Sequence, residues 1–197
     1  MKRLLGLILL LGVHALFHPL YASAISLSFV PPAQTVPIGQ AVSVEVVISD
    51  LGDDEVGDFD LDVSFDPTIL TPTTVTFGAL LGGPTLFEAV TSFSFLPGVV
   101  DFAEVSLLSP ADLEALQPDS FTLATLFFDT VGAGTSPLSF TQVILDDAFA
   151  QPLTVQTGSG SVSAVPEPGT GILVGSGLIG LFFFLKKDAE RNGSTGR

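Results

Sequence analysis

From Ile25 to Val165 the chain alternates apolar and polar residues in short runs. A period of two is the spacing of strands that bury one face. Val42, Val44, Val46 and Ile48 alternate with Ser43, Glu45 and Val47. The strictest run sets Phe59, Leu61, Val63 and Phe65 against Asp58, Asp60, Asp62, Ser64 and Asp66. Asp66-Pro67 ends it, because proline has no amide hydrogen to give a ladder. Residues 25–30, 73–77, 86–95, 98–108, 121–131, 137–145 and 152–164 are the other predicted strands. Pro31-Pro32, Gly82-Gly83-Pro84, Pro97-Gly98 and Gly132-Ala133-Gly134 punctuate them. About eight or nine strands at this spacing predict an all-β antiparallel sandwich. Residues 121–131 are apolar on both faces (Leu123 and Phe127; Ala124, Leu126 and Phe128), which predicts a central strand partly covered on its outer side. The phenylalanines of this region read mostly as core, with a Phe-lined groove as the alternative.

One short helix is predicted among the strands. Ser109 can cap it, Pro110 fits its first position, and Asp112 completes a capping box. Leu113 and Leu116 share a face, and Pro118 ends the helix.

The two ends have a different pattern. Lys2 and Arg3 precede an apolar run from Leu4 to Val13, and Ala22-Ser23-Ala24 is a small-x-small cleavage site. This order predicts a signal peptide over residues 1–24 and a mature chain from Ile25. At the other end, Val165-Pro166-Glu167-Pro168 precedes an apolar run over 171–185 and then Lys186-Lys187. Ile172 to Leu185 would span about 21 Å as a helix, short of a roughly 30 Å hydrocarbon core. Gly175, Gly177 and Gly180 weaken it further as a permanent anchor. A transient membrane stop fits better, with the prolines keeping Pro166-Glu167-Pro168 extended at the outer interface. Gly158-Ser159-Gly160-Ser161 reads as a linker giving reach. Residues 188–197 would form a cytoplasmic tail, and the basic residues hold both termini inside.

Charge sharpens this picture. All six basic residues lie in the end segments, whereas residues 25–164 hold 18 Asp and Glu and no Lys, Arg, His or Cys. An all-acidic domain has no group to replace the counterions of a phosphate backbone, so nucleic acid is excluded as a partner. Anionic membrane surfaces are excluded for the same reason. Cations, basic proteins and neutral polymers remain. A serine nucleophile would lack a base, thiol chemistry lacks its thiol, and zinc lacks its preferred ligands. Carboxylate pairs alone can support glycoside hydrolysis, but without Trp or Tyr platforms the expectation is a protein that is not an enzyme.

Asp50, Asp53, Asp54, Glu55, Asp58, Asp60 and Asp62 form the densest acidic stretch. The favoured reading is a solvated acidic face and loop. The alternative is calcium held by Asp53, Asp54, Glu55 and Asp58, since calcium accepts many oxygen ligands in tolerant geometry. Asp146-Asp147 is a weaker candidate of the same kind.

Two resemblances follow from these residues. Gly57 to Leu70, G-D-F-D-L-D-V-S-F-D-P-T-I-L, resembles the G-x-F-x-F-x-L-x-Y-D-P-x-x-L strand of cohesin modules. Phe121 to Asp129 is similar to their later L-A-T-L-x-F strand, and Val42 to Ser49, after Pro37-Ile38-Gly39, to their second. The resemblance implies a single antiparallel jelly-roll sandwich of about nine strands over residues 25–164, related to carbohydrate-binding modules. Dockerin-type proteins or carbohydrate are the partners it implies. Residues 165–187 resemble the PEP-CTERM sorting signal, with Pro166, Glu167 and Pro168 as recognition residues. That signal implies an exosortase that removes the tail, a Gram-negative source, and a destination at the cell surface or in an exopolysaccharide or biofilm matrix.

Overall fold

The computed structural model of the chain describes residues 24–167 and 178–179. The strands are β1 (Ser26–Val30), β2 (Ala33–Pro37), β3 (Ala41–Ser49), β4 (Asp58–Ser64), β5 (Leu70–Phe77), β6 (Ala89–Leu96), β7 (Val99–Ser106), β8 (Phe121–Thr130), β9 (Gly134–Asp146), β10 (Gln156–Thr157) and β11 (Gly160–Val165). Helix α1 (Pro110–Leu116) lies between β7 and β8. One sheet has the order β10-β1-β3-β8-β5 and the other β2-β11-β9-β4-β7-β6.

Period-two alternation decides which side of each strand meets the facing sheet. Phe59, Leu61, Val63 and Phe65 are buried, as are Val42, Val44, Val46 and Ile48. Their side chains interdigitate in one core with Phe29, Phe102, Leu126 and Phe128. The rings of Phe59 and Phe102 meet edge-on at 6.1 Å, and those of Phe65 and Phe128 at 5.4 Å. Such pairs add about 0.5–1.5 kcal/mol beyond the area they bury. Phe87, Phe93, Phe95 and Phe149 instead lie exposed.

The sandwich is mixed rather than purely antiparallel, and it has eleven strands among the described residues. Both differences arise where the chain enters and leaves. Pro31-Pro32 splits the first strand, so that β1 joins one sheet and β2 the other. The turn after Thr157 splits the last strand in the same way. The two split segments run side by side, pairing β1 with β10 and β2 with β11 in parallel. Consequently Gly158 to Ser161 is not a linker. Gly158 donates its amide to Leu27 O at 2.7 Å, and Gly160 begins β11 against the Phe29 ring.

β8 lies between β3 and β5, the central place its composition predicted. Its two apolar faces have a local cause. Opposite β3, Ala124 pairs with Val46 and Thr122 with Val47, leaving Leu123 as an extra residue. This bulge turns both Leu123 and Ala124 inward. Helix α1 is capped as its sequence predicts, with Ser109 Oγ accepting from Asp112 N and donating to Asp112 Oδ2 at 2.6 Å. Leu113 is buried, whereas Leu116 is exposed.

Candidate functional site

Two places could carry function, the C-terminal motif and the acidic side of the sandwich. β11 ends at Val165, whose carbonyl accepts from Ile38 N at 2.9 Å. Pro166 and Glu167 follow immediately and are exposed. Proline cannot donate to a ladder, so the residue type that opens the motif also stops the strand. Pro166 and Glu167 therefore lie directly beyond the last strand, on its exposed end. Pro168, the apolar run 171–185 (apart from Leu178 and Ile179) and the tail 188–197 lie outside the described residues, as do residues 1–23 with Ala22. Ala24 is described and exposed. No helix among the described residues is long and apolar enough to cross a membrane.

The outer face of β4 carries Asp58, Asp60 and Asp62. Register brings two more carboxylates beside them, Asp146 of β9 opposite Asp58 and Asp101 of β7 opposite Asp62. Directly opposed side chains are about 4.5–5.5 Å apart at Cβ, where like charges repel. The carboxyl of Asp62 is raised above its ordinary range by desolvation and then by Asp101 and Asp60. That of Asp58 is raised by desolvation and then by Asp146. Both groups therefore hold the folded state back as pH rises through their folded values, and acid relieves them. Asp62→Asn is expected to raise stability near pH 7 by about 0.2–1 kcal/mol. The gain should shrink near pH 3, as thermal melts at the two pH values would reveal. Asp66 behaves oppositely: the hydroxyl and amide of Thr68 hold its carboxyl below the ordinary range.

Beside this face, residues 50–57 form the acidic loop. Gln117 at the end of α1 clamps it, accepting from Val56 N at 2.7 Å and donating to Val56 O at 2.9 Å. Asp119 Oδ1 accepts from Gly52 N at 2.9 Å. Asp50, Asp53, Asp54 and Asp119 line an open cleft of about 510 Å³. Glu55 and Glu114 join Asp53 and Asp54 around a smaller cleft of about 210 Å³. Asp58, one strand position further on, sits on the sheet face. Among the described residues no three acidic side chains converge closely enough to hold a metal ion.

A model of the PEP-CTERM protein-sorting motif matches residues 164–187. The described fold is similar to cohesins. A type I cohesin–dockerin complex from Clostridium thermocellum matches with TM-score 0.60 and 15% identity, over 73% of this chain and 100% of that one. A type II cohesin domain from the cellulosome of Acetivibrio cellulolyticus matches with TM-score 0.58 and 18% identity, over 71% and 95%. A non-cellulosomal cohesin from Archaeoglobus fulgidus matches with TM-score 0.55 and 17% identity, over 75% and 94%. The chain carries a PEP-CTERM sorting motif behind a domain of cohesin fold. Comparison with curated proteins returns no match. The PEP-CTERM motif implies export and a membrane-anchored sorting stage. No enzymatic family is indicated.

Apart from both of these places, one acidic residue of the sandwich points into the core. Glu104 of β7 is fully buried, and neither carboxylate oxygen has a hydrogen-bond partner. It faces the core beside Phe59 of β4 and Thr91 of β6. Burial pushes its carboxyl up to about 7. The sequence carries the signal for this, since Val100, Phe102 and Glu104 alternate on one face. Asp101 and Asp119 gave no such signal, because their neighbours are set by pairing and loop contacts distant in sequence.

Proposed function

We propose that this protein is an exported, non-enzymatic surface or extracellular-matrix protein, sorted by an exosortase acting on Pro166, Glu167 and Pro168. The exposed position of Pro166 and Glu167 directly after β11, within the matched motif, carries this reading. Cleavage at or after Pro166 would leave every described strand of the sandwich whole. The domain would then display its acidic, hydroxyl-bearing surface among exopolysaccharide or biofilm components.

Intact mass of the protein recovered from fractions of its native host tests this. The expected product runs from Ile25 to between Val165 and Gly169, with or without an attached group, outside the inner membrane. A mass extending to Arg197 in the membrane fraction would mean that the tail is a plain anchor.

A second reading is a module that binds carbohydrate or a dockerin-type protein. It is favoured by the outer face of β9, β4 and β7, where five carboxylates and no cation select a basic or richly hydrogen-bonding partner. Retention on immobilised glycans would support the carbohydrate form, and capture of a dockerin-bearing protein the other. The calcium alternative for Asp53, Asp54, Glu55 and Asp58 is tested by melting with and without a chelator. A lower melting temperature on chelation supports it, and an unchanged melt removes it.

A further inference from the structure

Four strands lie at sheet edges: β10, β5, β2 and β6. Exposed edges offer unpaired N–H and C=O groups to other chains, and proteins normally guard them by shortness, proline, bulges or charge. Three of these edges are guarded. β10 has only 2 residues, β2 follows Pro31-Pro32 and ends at Pro37, and β5 contains Pro72 and a register shift beside it. β6 has none of these devices. Its 8 residues, A-V-T-S-F-S-F-L, pair with β7 in unbroken register and include no charge, proline or glycine. It also overhangs the core. Phe93 and Phe95 lie on the inward side with Phe102 and Val100, yet they are 44% and 39% exposed.

We infer that β6 pairs antiparallel with β6 of a second copy, joining the two six-stranded sheets across a two-fold axis. Residues 90–96 are self-complementary about Phe93, as a two-fold interface requires. With Phe93 opposite its counterpart, Val90 meets Leu96, Thr91 meets Phe95, and Ser92 meets Ser94. Each pair lies on one face: Val90 is set against apolar Leu96, Ser92 against the hydroxyl of Ser94, and β-branched Thr91 packs its methyl against the Phe95 ring. Added main-chain bonds supply the attraction, as in other strand-addition complexes. Charge permits this seam although the domain is acidic. The carboxylates nearest on the outer face are those of Asp101, one strand back from the edge. In the pair they stand three strand spacings apart, about 14 Å, beyond a Debye length of about 8–10 Å.

The chain has no cysteine, so one substitution installs a unique reporter. Full-length Phe93→Cys should give a reductant-sensitive dimer on a non-reducing gel after export into an oxidising compartment. Thr76→Cys, exposed on the outer face of the other sheet, should not. Adding Ser92→Lys and Ser94→Lys to Phe93→Cys should abolish the dimer. No dimer from folded Phe93→Cys overturns the inference, and so does equal cross-linking at Thr76. If the Phe93→Cys chain is not recovered, co-expressed Ser92→Cys and Ser94→Cys chains test the same register. They should cross-link together more than either does alone, and failure to do so is equally fatal.

Discussion

Glu104→Leu is expected to stabilise the domain strongly near pH 8 and much less near pH 4. Glu104 is fully buried on β7 with both carboxylate oxygens unpartnered. No Lys, Arg or His exists between residues 25 and 164 to neutralise it. The folded state therefore favours the protonated form, with a pKa of about 7 against the ordinary 4.5. A raised folded pKa contributes stability that is complete below about 4.5 and lost as pH rises through about 7. At about 1.4 kcal/mol per unit, ionising the buried group costs on the order of 3 kcal/mol. Leucine removes that cost. For a domain of this size, the melting temperature near pH 8 should rise by roughly 10 °C. Near pH 4 only the smaller penalty of a neutral unpartnered carboxyl is relieved. Glu104→Gln, which cannot ionise, should recover most of the pH-dependent part. Melts of the three proteins from pH 4 to pH 8 decide the matter. A gap between wild type and Glu104→Leu that does not widen with pH would refute the buried, protonated carboxyl.

Leu61→Asp is expected to yield no soluble folded protein. Leu61 is fully buried on β4, between β7 and β9. Deleting a buried leucine side chain costs about 2–5 kcal/mol, and an unpaired buried carboxylate adds several more. The sum rivals the whole stability of an ordinary domain, about 5–15 kcal/mol. Adding a second carboxyl to a core that already holds Glu104 leaves no cation to offset either. Asp60→Leu, one residue away on the outer face, should still fold. Soluble yield and far-ultraviolet circular dichroism separate the two variants. A Leu61→Asp protein that melts cooperatively close to wild type would reverse the inner and outer faces of β4.

Much of this architecture is legible residue by residue. The alternation of Phe59, Leu61 and Val63 with Asp58, Asp60 and Asp62 assigns each side chain of β4 to core or solvent. Ser109, Pro110 and Asp112 mark the start of α1 because capping needs only residues within one turn. The acidic loop was equally visible as composition. Its geometry was not, because Gln117 and Asp119 clamp it from more than 60 residues away. Where a local rule failed, a distant contact had overridden it. The second glycine of Gly158-Ser159-Gly160-Ser161 begins a strand because β2 and β9 flank that segment with free ladder groups. The bulge at Leu123 is likewise a property of the β3–β8 pair rather than of either strand.

By itself, the sequence determined the strand faces, the capped helix, the confinement of positive charge to the two ends and the motif at Pro166 to Pro168. Each of these depends on a residue's own chemistry and that of near neighbours, so short-range periodicity suffices. Only the tertiary structure decided that Asp62 faces Asp101, that the first and last strands run parallel, that Glu104 finds no partner and that β6 stands at an open edge. Those outcomes follow from which strands lie side by side. That choice is made by burying one common core across long loops, and no window of local sequence contains it.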